Sequence, residues 1–330
     1  MELITPEIQR ISLSIGSLIA LFWQKRFGVL PGGIIVPGLL GNLLLISPGW
    51  CLTLVAIAYL VQWIYQRWLA RLEHQRRIPM YFLGALSLLV SAPLSATGIE
   101  IGLLPANTDS ISGSLLPGII AFSLHRQGRA QVGRSMLLAT TITCLATISI
   151  ATIGSLLFHI DFNQITQYYR HTNSIQLQAK SVQFLVALLV GMYIYNKAGL
   201  RAGGYVVAPM AAALMLEPIS AVMFVIGCLS VEFWVRLVSS HSLIIGLSRY
   251  VVALLFSTAY VWTAEIVFIH AGVPFLPFQG SHILAIIAIL SYANDAILNG
   301  RPRLAPWMIL LISSAAVVLL VIHHLYALTS

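Results

Sequence analysis

The sequence predicts an all-α polytopic membrane protein with about twelve membrane segments. Hydrophobic residues make up 58% of the 330-residue chain and charged residues only 8%, whereas soluble domains carry about 25% charged residues. The apolar residues are gathered in long runs between short polar stretches, which is the pattern of a helical membrane protein. The net charge of +8 comes from scattered basic residues without interleaved aromatic residues, so nucleic-acid binding is not predicted.

Twelve apolar runs are the candidate membrane segments. Several are shorter than the roughly 20 residues that a straight spanning helix needs, so a short run could instead form a re-entrant hairpin. The runs cover residues 8–24, 28–47, 50–67, 79–97, 113–124, 135–158, 181–195, 199–216, 218–235, 250–269, 282–298 and 304–325.

The basic residues decide between these options. If all twelve runs cross the membrane, fifteen of the eighteen basic residues fall on one side, and only Arg10, Arg170 and Lys180 fall on the other. Cytoplasmic loops carry the excess of Lys and Arg in membrane proteins. We therefore expect twelve crossings, with both termini outside.

The stretch Phe27–Asn42 is apolar but rich in helix breakers. It contains five glycines and two prolines in sixteen residues. In a helix interior each proline costs roughly 3 kcal/mol and each glycine about 1 kcal/mol. We therefore expect this segment to cross the membrane in a partly unwound form.

The chain repeats at two levels. Residues of the first half recur in the second at an offset of 171 or within one residue of it: Gly28, Gly32, Gly33, Ile35 and Val36 as Gly199, Gly203, Gly204, Val206 and Val207, Pro48 as Pro218, and Gln127-Gly128-Arg129 as Asn299-Gly300-Arg301. Within the first half, Gly33–Gly38 matches Gly113–Gly118 at an offset of 80.

These repeats predict a tandem duplication of a six-segment unit. The first membrane repeat would cover residues 1–160, an outer linker residues 161–180, and a second, diverged repeat residues 181–330. Each quarter holds three segments, and an odd number of crossings inverts the next quarter. Each unit could therefore itself be a three-plus-three inverted repeat with broken helices.

Two motifs of the first half resemble a known family. Residues 28–38 read Gly-Val-Leu-Pro-Gly-Gly-Ile-Ile-Val-Pro-Gly, and residues 113–121 read Gly-Ser-Leu-Leu-Pro-Gly-Ile-Ile-Ala, followed by Gln127-Gly128. In order and distance they resemble the PgsC/CapC family, the membrane subunit of bacterial poly-γ-glutamate synthases. The family subunit is about half this length, so the second half would be a diverged copy, in which Pro209-Met210 and Leu290-Ser291 replace the two Pro-Gly pairs.

The resemblance implies a subunit of a complex that makes and exports a γ-linked poly-amino acid across a bacterial cytoplasmic membrane. In the family, a cytoplasmic ATP-dependent amide ligase similar to Mur-type ligases joins the monomers, and an extracytoplasmic subunit takes part outside. This chain would then be a non-catalytic subunit that docks the ligase and guides the anionic polymer. ATP and Mg²⁺ would bind the ligase, since the sequence has no Gly-x-x-x-x-Gly-Lys-Ser/Thr loop. Membrane lipid is the other expected partner, and self-association is left open.

The Pro-Gly motifs are the first candidate site. An unwound segment exposes backbone amides and carbonyls to a polar substrate where lipid would otherwise forbid irregular backbone. The alternative is helix kinking and close packing through small residues. The residues concerned are Gly32, Gly33, Pro37, Gly38, Gly113, Pro117 and Gly118.

Basic residues beside these motifs are the second candidate site. Lys25, Arg26, Arg126 and Arg129 fall on the cytoplasmic side. They could hold an anionic chain or the acidic face of a ligase through charge-assisted hydrogen bonds. The alternative is that they only set the topology and contact lipid headgroups.

Acidic residues in or beside the apolar runs are the third group. An ionisable residue inside a membrane segment is a functional hypothesis by default. Glu232 and Arg236 are four residues apart and could pair on one helix face, whereas Glu265 and Asp295 could relay protons or hold a cation. They support the alternative function, a stand-alone secondary transporter of a small solute. Glu217, and the loop residues Glu100, Asn107 and Asp109, are further polar candidates.

No catalytic or metal-binding residues are assigned. The histidines lack the spacing of a metal pair, and there is no Gly-x-Ser-x-Gly nucleophile motif. Ser123 beside His125 is considered as a nucleophile and base, but a structural role is favoured.

Overall fold

The computed structural model describes residues 5–69, 78–100, 110–158, 174–200, 204–214, 218–242, 244–273, 276–278 and 282–329. Within these ranges the secondary structure is entirely helical, with twelve helices and no strand. The chain divides into two compact units, which we call unit 1 (residues 1–169) and unit 2 (residues 170–330). Each is considered by itself.

Unit 1 contains six helices. The third ends in a π-helical turn, Tyr65–Leu69, in which the helix widens by one residue per turn. The helices are α1 (Pro6–Phe27), α2 (Val36–Ile46), α3 (Pro48–Ile64), α4 (Ile78–Glu100), α5 (Ser110–Gln127) and α6 (Arg129–Phe158).

Unit 2 contains six helices in the same order of long and short elements. They are α7 (Ser174–Ala198), α8 (Gly204–Leu214), α9 (Pro218–His241), α10 (Leu247–His270), α11 (His282–Asn299) and α12 (Arg301–Thr329). Each of the twelve apolar runs of the sequence overlaps one of these helices.

Helix pairing follows one pattern in both units. In unit 1, α2 contacts α1, α3, α5 and α6, and α5 contacts α2, α3, α4 and α6. The remaining helix pairs in contact are α1–α6 and α3–α4. Unit 2 has the same pairs with every helix number raised by six. If α1, α2 and α3 exchange places with α4, α5 and α6 respectively, the list of contacting helix pairs in unit 1 stays the same. The corresponding exchange in unit 2 gives the same result.

Six helical stretches of the described residues are long and apolar enough to cross a membrane. They are Pro48–Trp68, Arg129–Leu156, Ser181–Ala198, Ile219–His241, Leu247–His270 and His282–Asn299. Large apolar side chains such as Leu137, Leu145 and Leu156 of α6 are exposed on the surface of the unit. A soluble protein rarely exposes so much apolar surface, so the fold is that of a helical membrane protein.

Two pairs of glycines end helices at corresponding places in the units. Gly28 ends α1 with a φ of 70° and Gly199 ends α7 with a φ of 66°. Gly128 and Gly300 do the same for α5 and α11, with φ of 93° and 79°. These left-handed conformations favour glycine, which explains the glycines in the sequence similarity between the halves.

Glycine also sets the closest helix approach in unit 1. A Cβ built on Gly16 of α1 would overlap the backbone of Gly38 of α2, and a Cβ on Gly38 would lie 2.6 Å from the Cα of Leu13. In the α4–α5 pair, a Cβ on Gly118 would lie 2.9 Å from the Cα of Gly84. Small residues allow such close approach between membrane helices. Ser12 of α1 adds a hydrogen bond across the first crossing, from its hydroxyl to the carbonyl of Gly38, at 2.8 Å.

We predict that Gly38→Ala destabilises unit 1 by about 1–3 kcal/mol, because the added methyl group meets backbone that cannot move aside cheaply. Thermal unfolding of the purified protein in detergent measures the effect. Gly49→Ala in α3 is the matched control, since nothing lies within 4 Å of a Cβ at that position. Equal midpoints for the two variants would contradict the close crossing.

Candidate functional site

The chain between α1 and α2, residues 28–35, is not helical. We call it the unwound segment. Its residues 31–35 are buried, and Gly32 and Gly33 have φ of 78° and 144°. The helix that follows, α2, has eleven residues and is therefore about 16 Å long, roughly half of the hydrocarbon thickness. The apolar run 28–47 is thus a non-helical stretch followed by a half-length helix.

Helix α5 binds the backbone of the unwound segment. The N–H of Leu30 donates to Oε1 of Gln127 at 2.7 Å, and the hydroxyl of Ser123 donates to the carbonyl of Gly32 at 2.5 Å. Ser123 and Gln127 are four residues apart and so lie on one face of the helix. Ile119, one turn earlier, packs so close that a Cβ on Gly33 would lie 3.0 Å from its methyl group.

A second set of polar contacts lies at the same end of α5. Arg129, at the start of α6, donates from Nε to Oε1 of Gln62 at 2.6 Å and from Nη2 to Oε1 of Gln66 at 2.8 Å. Gln62 is in α3 and Gln66 is in its π-helical turn. The ring of His125 stands edge-on to that of Tyr65, with centroids 5.1 Å apart. We call Gln62, Gln66 and Arg129 the arginine site of unit 1.

Unit 2 has a charged counterpart. The carboxylate of Glu232 in α9 is fully buried and accepts from Nε of Arg301 at 3.0 and 2.9 Å. It also accepts from Nε of Arg236 at 2.9 Å, and Nη2 of Arg236 donates to the carbonyl of Ala296 at 3.3 Å. The sequence prediction that Glu232 pairs with Arg236 is confirmed.

These two sites occupy corresponding positions of the sequence. Counted from the matched prolines Pro48 and Pro218, residues 62 and 66 correspond to 232 and 236. Arg129 corresponds to Arg301, since each follows one of the matched glycines Gly128 and Gly300. The same arginine atom, Nε, contacts the α3 or α9 residue in both units. The difference is chemical: unit 1 has two neutral amides where unit 2 has a carboxylate and a second arginine.

The predicted motif residues divide between the unwound segment and the helices. Gly32 and Gly33 lie in the unwound segment, whereas Pro37 lies in the first turn of α2, where proline is tolerated. Gly38 lies in the close α1–α2 crossing, which is the packing role that the sequence left open.

The second motif, residues 113–118, does not have the conformation that the sequence predicts. Gly113, Pro117 and Gly118 all lie inside the continuous helix α5, so the expected unwinding of this motif is wrong. Gly118 packs against Gly84 instead. A helix tolerates an internal proline where neighbouring helices support it, and α5 packs against α2, α3, α4 and α6.

The predicted basic residues lie at the end of unit 1 that holds the unwound segment. Lys25 and Arg26 are exposed in the last turn of α1. Arg126 is exposed at the end of α5, with its guanidinium carbon 5.7 Å from the ring centroid of Phe122. Arg129 is exposed, and its hydrogen bonds to the two glutamines orient it.

The acidic candidates of unit 2 lie in its interior. Glu265 in α10 is fully buried and Asp295 in α11 is nearly so, and the two helices pack against each other. The amide of Asn294 donates to Asp295 at 3.4 Å. Glu217, Asn107 and Asp109 lie outside the described residues, as does the side chain of Glu100. In the described ranges, no three His, Cys, Asp or Glu side chains come together as metal ligands would.

Sequence reasoning missed the residues that hold the site together. Ser123 was considered only as a nucleophile, and Gln62, Gln66, Gly16 and Gly84 were not singled out. One signal was available: two glutamines four residues apart in an apolar run, at the positions that correspond to Glu232 and Arg236 in the second half.

We predict that Ser123→Ala loosens the unwound segment, because it leaves the buried carbonyl of Gly32 without its donor, a loss of about 1–3 kcal/mol. Hydrogen–deuterium exchange of residues 28–35 should become faster by about tenfold or more. Ser149→Ala is the matched control, since Ser149 is exposed and bonds only to the preceding turn of its own helix. Unchanged exchange in the Ser123 variant would contradict the role given to α5.

Comparison with known proteins identifies a family for this chain. The family model described as capsule biosynthesis CapC matches residues 15–133 and 186–299, which together cover more than two thirds of the chain. No curated protein and no solved structure matches. The matched stretches begin within α1 and α7 and end within α6 and at the end of α11. We conclude that the chain belongs to the capsule biosynthesis CapC family, as a helical membrane protein with a match in each half.

Proposed function

We propose that this chain is the integral membrane subunit of a complex that synthesises and exports poly-γ-glutamate or a related γ-linked poly-amino acid. Its cytoplasmic partner would be an ATP-dependent amide ligase similar to Mur-type ligases, which would bind the ATP and Mg²⁺. An extracytoplasmic subunit would complete the complex in the bacterial cytoplasmic membrane. The membership of the CapC family, with one match in each half of the chain, is the observation that carries this proposal.

The arrangement of unit 1 supports a path for an anionic polymer. The unwound segment is irregular backbone inside a membrane helix bundle, and such segments are found where a polar substrate passes. Arg126 and Arg129 follow within one turn of the α5 residues that bind this segment. An anionic chain leaving a cytoplasmic ligase would meet these cations first.

The shared pairing of helices in the two units supports the duplicated architecture. Two six-helix units with the same pairs in contact are what a tandem duplication produces. We propose that each unit is built from inverted three-helix halves and that the chain crosses the membrane twelve times, with Lys25, Arg26, Arg126 and Arg129 on the cytoplasmic side.

A second function, ion-coupled transport of a small solute, is supported by the buried Glu265 and Asp295 of unit 2. Buried acidic groups in membrane helices commonly carry protons or cations. Reconstitution of the chain alone in liposomes separates the two functions. Ion-coupled solute uptake without a ligase would favour the transporter, whereas the synthase subunit should show none.

We predict that Arg126→Glu with Arg129→Glu stops polymer production in cells that carry the whole synthase, while the protein stays in the membrane. The reversed charges would repel both an anionic chain and an acidic ligase surface. The measurements are polymer yield and membrane content of the protein. Arg126→Glu alone should lower the yield severalfold, and it leaves the hydrogen bonds of Arg129 intact.

Arg303→Glu is the matched control for the single variant Arg126→Glu, because Arg303 is exposed near the start of α12 in unit 2 and its substitution changes the net charge by the same amount. Its yield should stay near the wild-type value. Normal production by the Arg126/Arg129 double variant would contradict the proposed path.

A further inference from the structure

A row of buried side chains on α6 begins beside the unwound segment. The sulfur atom of Met136 lies 3.2 Å from a Cβ built on Gly32. Thr140, Thr143 and Thr147 follow at intervals of four, three and four residues, so they share the face of the helix that carries Met136. All four side chains are buried. From Met136 to Thr147 the row extends about 16 Å, away from the start of α6.

The row lies where α1, α2 and α6 meet. These three helices contact one another. A Cβ built on Gly41 of α2 would lie 3.4 Å from the hydroxyl oxygen of Ser12 in α1 and 3.5 Å from the Cβ of Thr143. Asn42, the next residue of α2, is also buried. We call the following residues the polar seam: Asn42, Thr140 and Thr147.

The polar seam carries three oxygen atoms without a hydrogen-bond partner among the described residues. They are Oδ1 of Asn42 and Oγ1 of Thr140 and of Thr147. A buried threonine of an apolar helix can donate to the carbonyl of the preceding turn, as Thr143 does to Ala139 at 2.7 Å. The threonines of the polar seam do not. Because an unpaired buried polar group destabilises a fold, a departure of this kind points to a functional site.

The corresponding positions of unit 2 are apolar. Helices α6 and α12 correspond at an offset of 172, which aligns Met136 with Met308, and α2 and α8 correspond at an offset of 171. The polar seam then corresponds to Ala213, Ile312 and Leu319. Ile312 packs against a buried apolar cluster that includes Ala212 and Ala315. Polar groups at these positions are therefore not needed for the helix pairing that the two units share.

The unpaired atoms indicate the chemical class of a ligand. The hydroxyl groups of Thr140 and Thr147 can donate and accept, whereas Oδ1 of Asn42 only accepts. A carboxylate has no donor for Asn42, and no residue of the polar seam carries a charge that would balance it. An amide group offers both an N–H and a C=O. A chain of amides therefore fits the polar seam.

We propose that the polar seam is the part of the polymer path that follows the unwound segment, and that it hydrogen-bonds the amide groups of the passing chain. This inference rests on the proposed function, in which a γ-linked polymer carries one amide per residue. Uncharged contacts suit passage, because each is weak enough for the chain to leave. Thr143 packs on Gly41, so the seam is closed in this structure and α6 must move away from α2 when a chain passes.

Thr140→Val with Thr147→Val tests the hydroxyl groups, because valine keeps the shape of threonine and lacks its polar atom. Polymer yield in cells that carry the whole synthase should fall about fivefold or more. The unfolding midpoint of the purified protein should stay equal or rise, since two unpaired buried groups are gone. Thr141→Val with Thr152→Val is the matched control on the same helix, where both side chains are exposed, and its yield should not change.

A disulfide across the seam tests the required movement. In a variant whose three cysteines are replaced by alanine, Gly41→Cys with Thr143→Cys places two Cβ atoms 3.5 Å apart, a distance that a disulfide can bridge. Oxidation should stop polymer production, and reduction should restore it. Ala212→Cys with Ala315→Cys is the corresponding pair of unit 2, and its oxidation should leave the yield unchanged. Continued production by the oxidised unit 1 pair would contradict the movement.

Water offers the same hydrogen bonds as an amide, and a protection experiment separates it from the polymer. Thr147→Cys in the cysteine-free variant is treated with a charged methanethiosulfonate, which reacts with a thiol that water can reach. The reaction should slow severalfold while the cells make polymer, because the chain occupies the seam. Equal rates with and without polymer would mean that the seam holds water only, and no reaction in either state would mean that it never opens. Both results would overturn the inference.

Two further results would also overturn it. One is a normal yield from the Thr140/Thr147 variant while the yield still depends on Arg126, which would remove the seam and leave the proposed function. The other is a lower yield together with a lower unfolding midpoint, which would assign the two hydroxyl groups to the fold. The proposed function fails separately if cells with the wild-type chain make no γ-linked polymer, and the seam then loses its ligand as well.

Discussion

A backbone inside a lipid bilayer finds no water, so each N–H and C=O group must be satisfied by the protein. In the unwound segment of unit 1, α5 satisfies two such groups: Gln127 accepts from the N–H of Leu30, and Ser123 donates to the carbonyl of Gly32. The site depends on this pairing of an irregular segment with a regular helix. Ser123 and Gln127 lie on one face of α5 only while α5 is helical. A continuous α5 therefore holds these two side chains in place against the unwound segment, although its motif at Gly113–Gly118 resembles that of residues 33–38.

Glycine has a separate role, the close packing of helices. Gly38 and Gly118 let α2 and α5 approach α1 and α4 closely enough for backbone to meet backbone. Helices α2 and α5 also contact each other. Around the first motif, Pro37 lies in the first turn of α2, and Gly32 and Gly33 provide the irregular backbone before it.

Sequence alone predicted the elements that depend on local composition. The twelve apolar runs each overlap a helix, and Glu232 pairs with Arg236 because residues four apart lie on one face of a helix. The CapC resemblance is confirmed by matches in both halves. Sequence alone did not predict the features that depend on tertiary contacts. The Gly113–Gly118 motif has the same breakers as the first motif, but neighbouring helices override their propensity. Gln62 and Arg129 are 67 residues apart, and no local pattern indicates that they meet.

The two units thus share one pattern of helix pairs and differ in the side chains at one corresponding place, where unit 1 has two glutamines and unit 2 has a glutamate and an arginine. The most direct measurement is photo-crosslinking in membranes that are making labelled polymer. A crosslinking residue at Leu30, in the unwound segment, should label the polymer, whereas one at Leu145, on the exposed apolar face of α6, should label lipid only. Polymer labelling from Leu145 and none from Leu30 would contradict a path along the unwound segment.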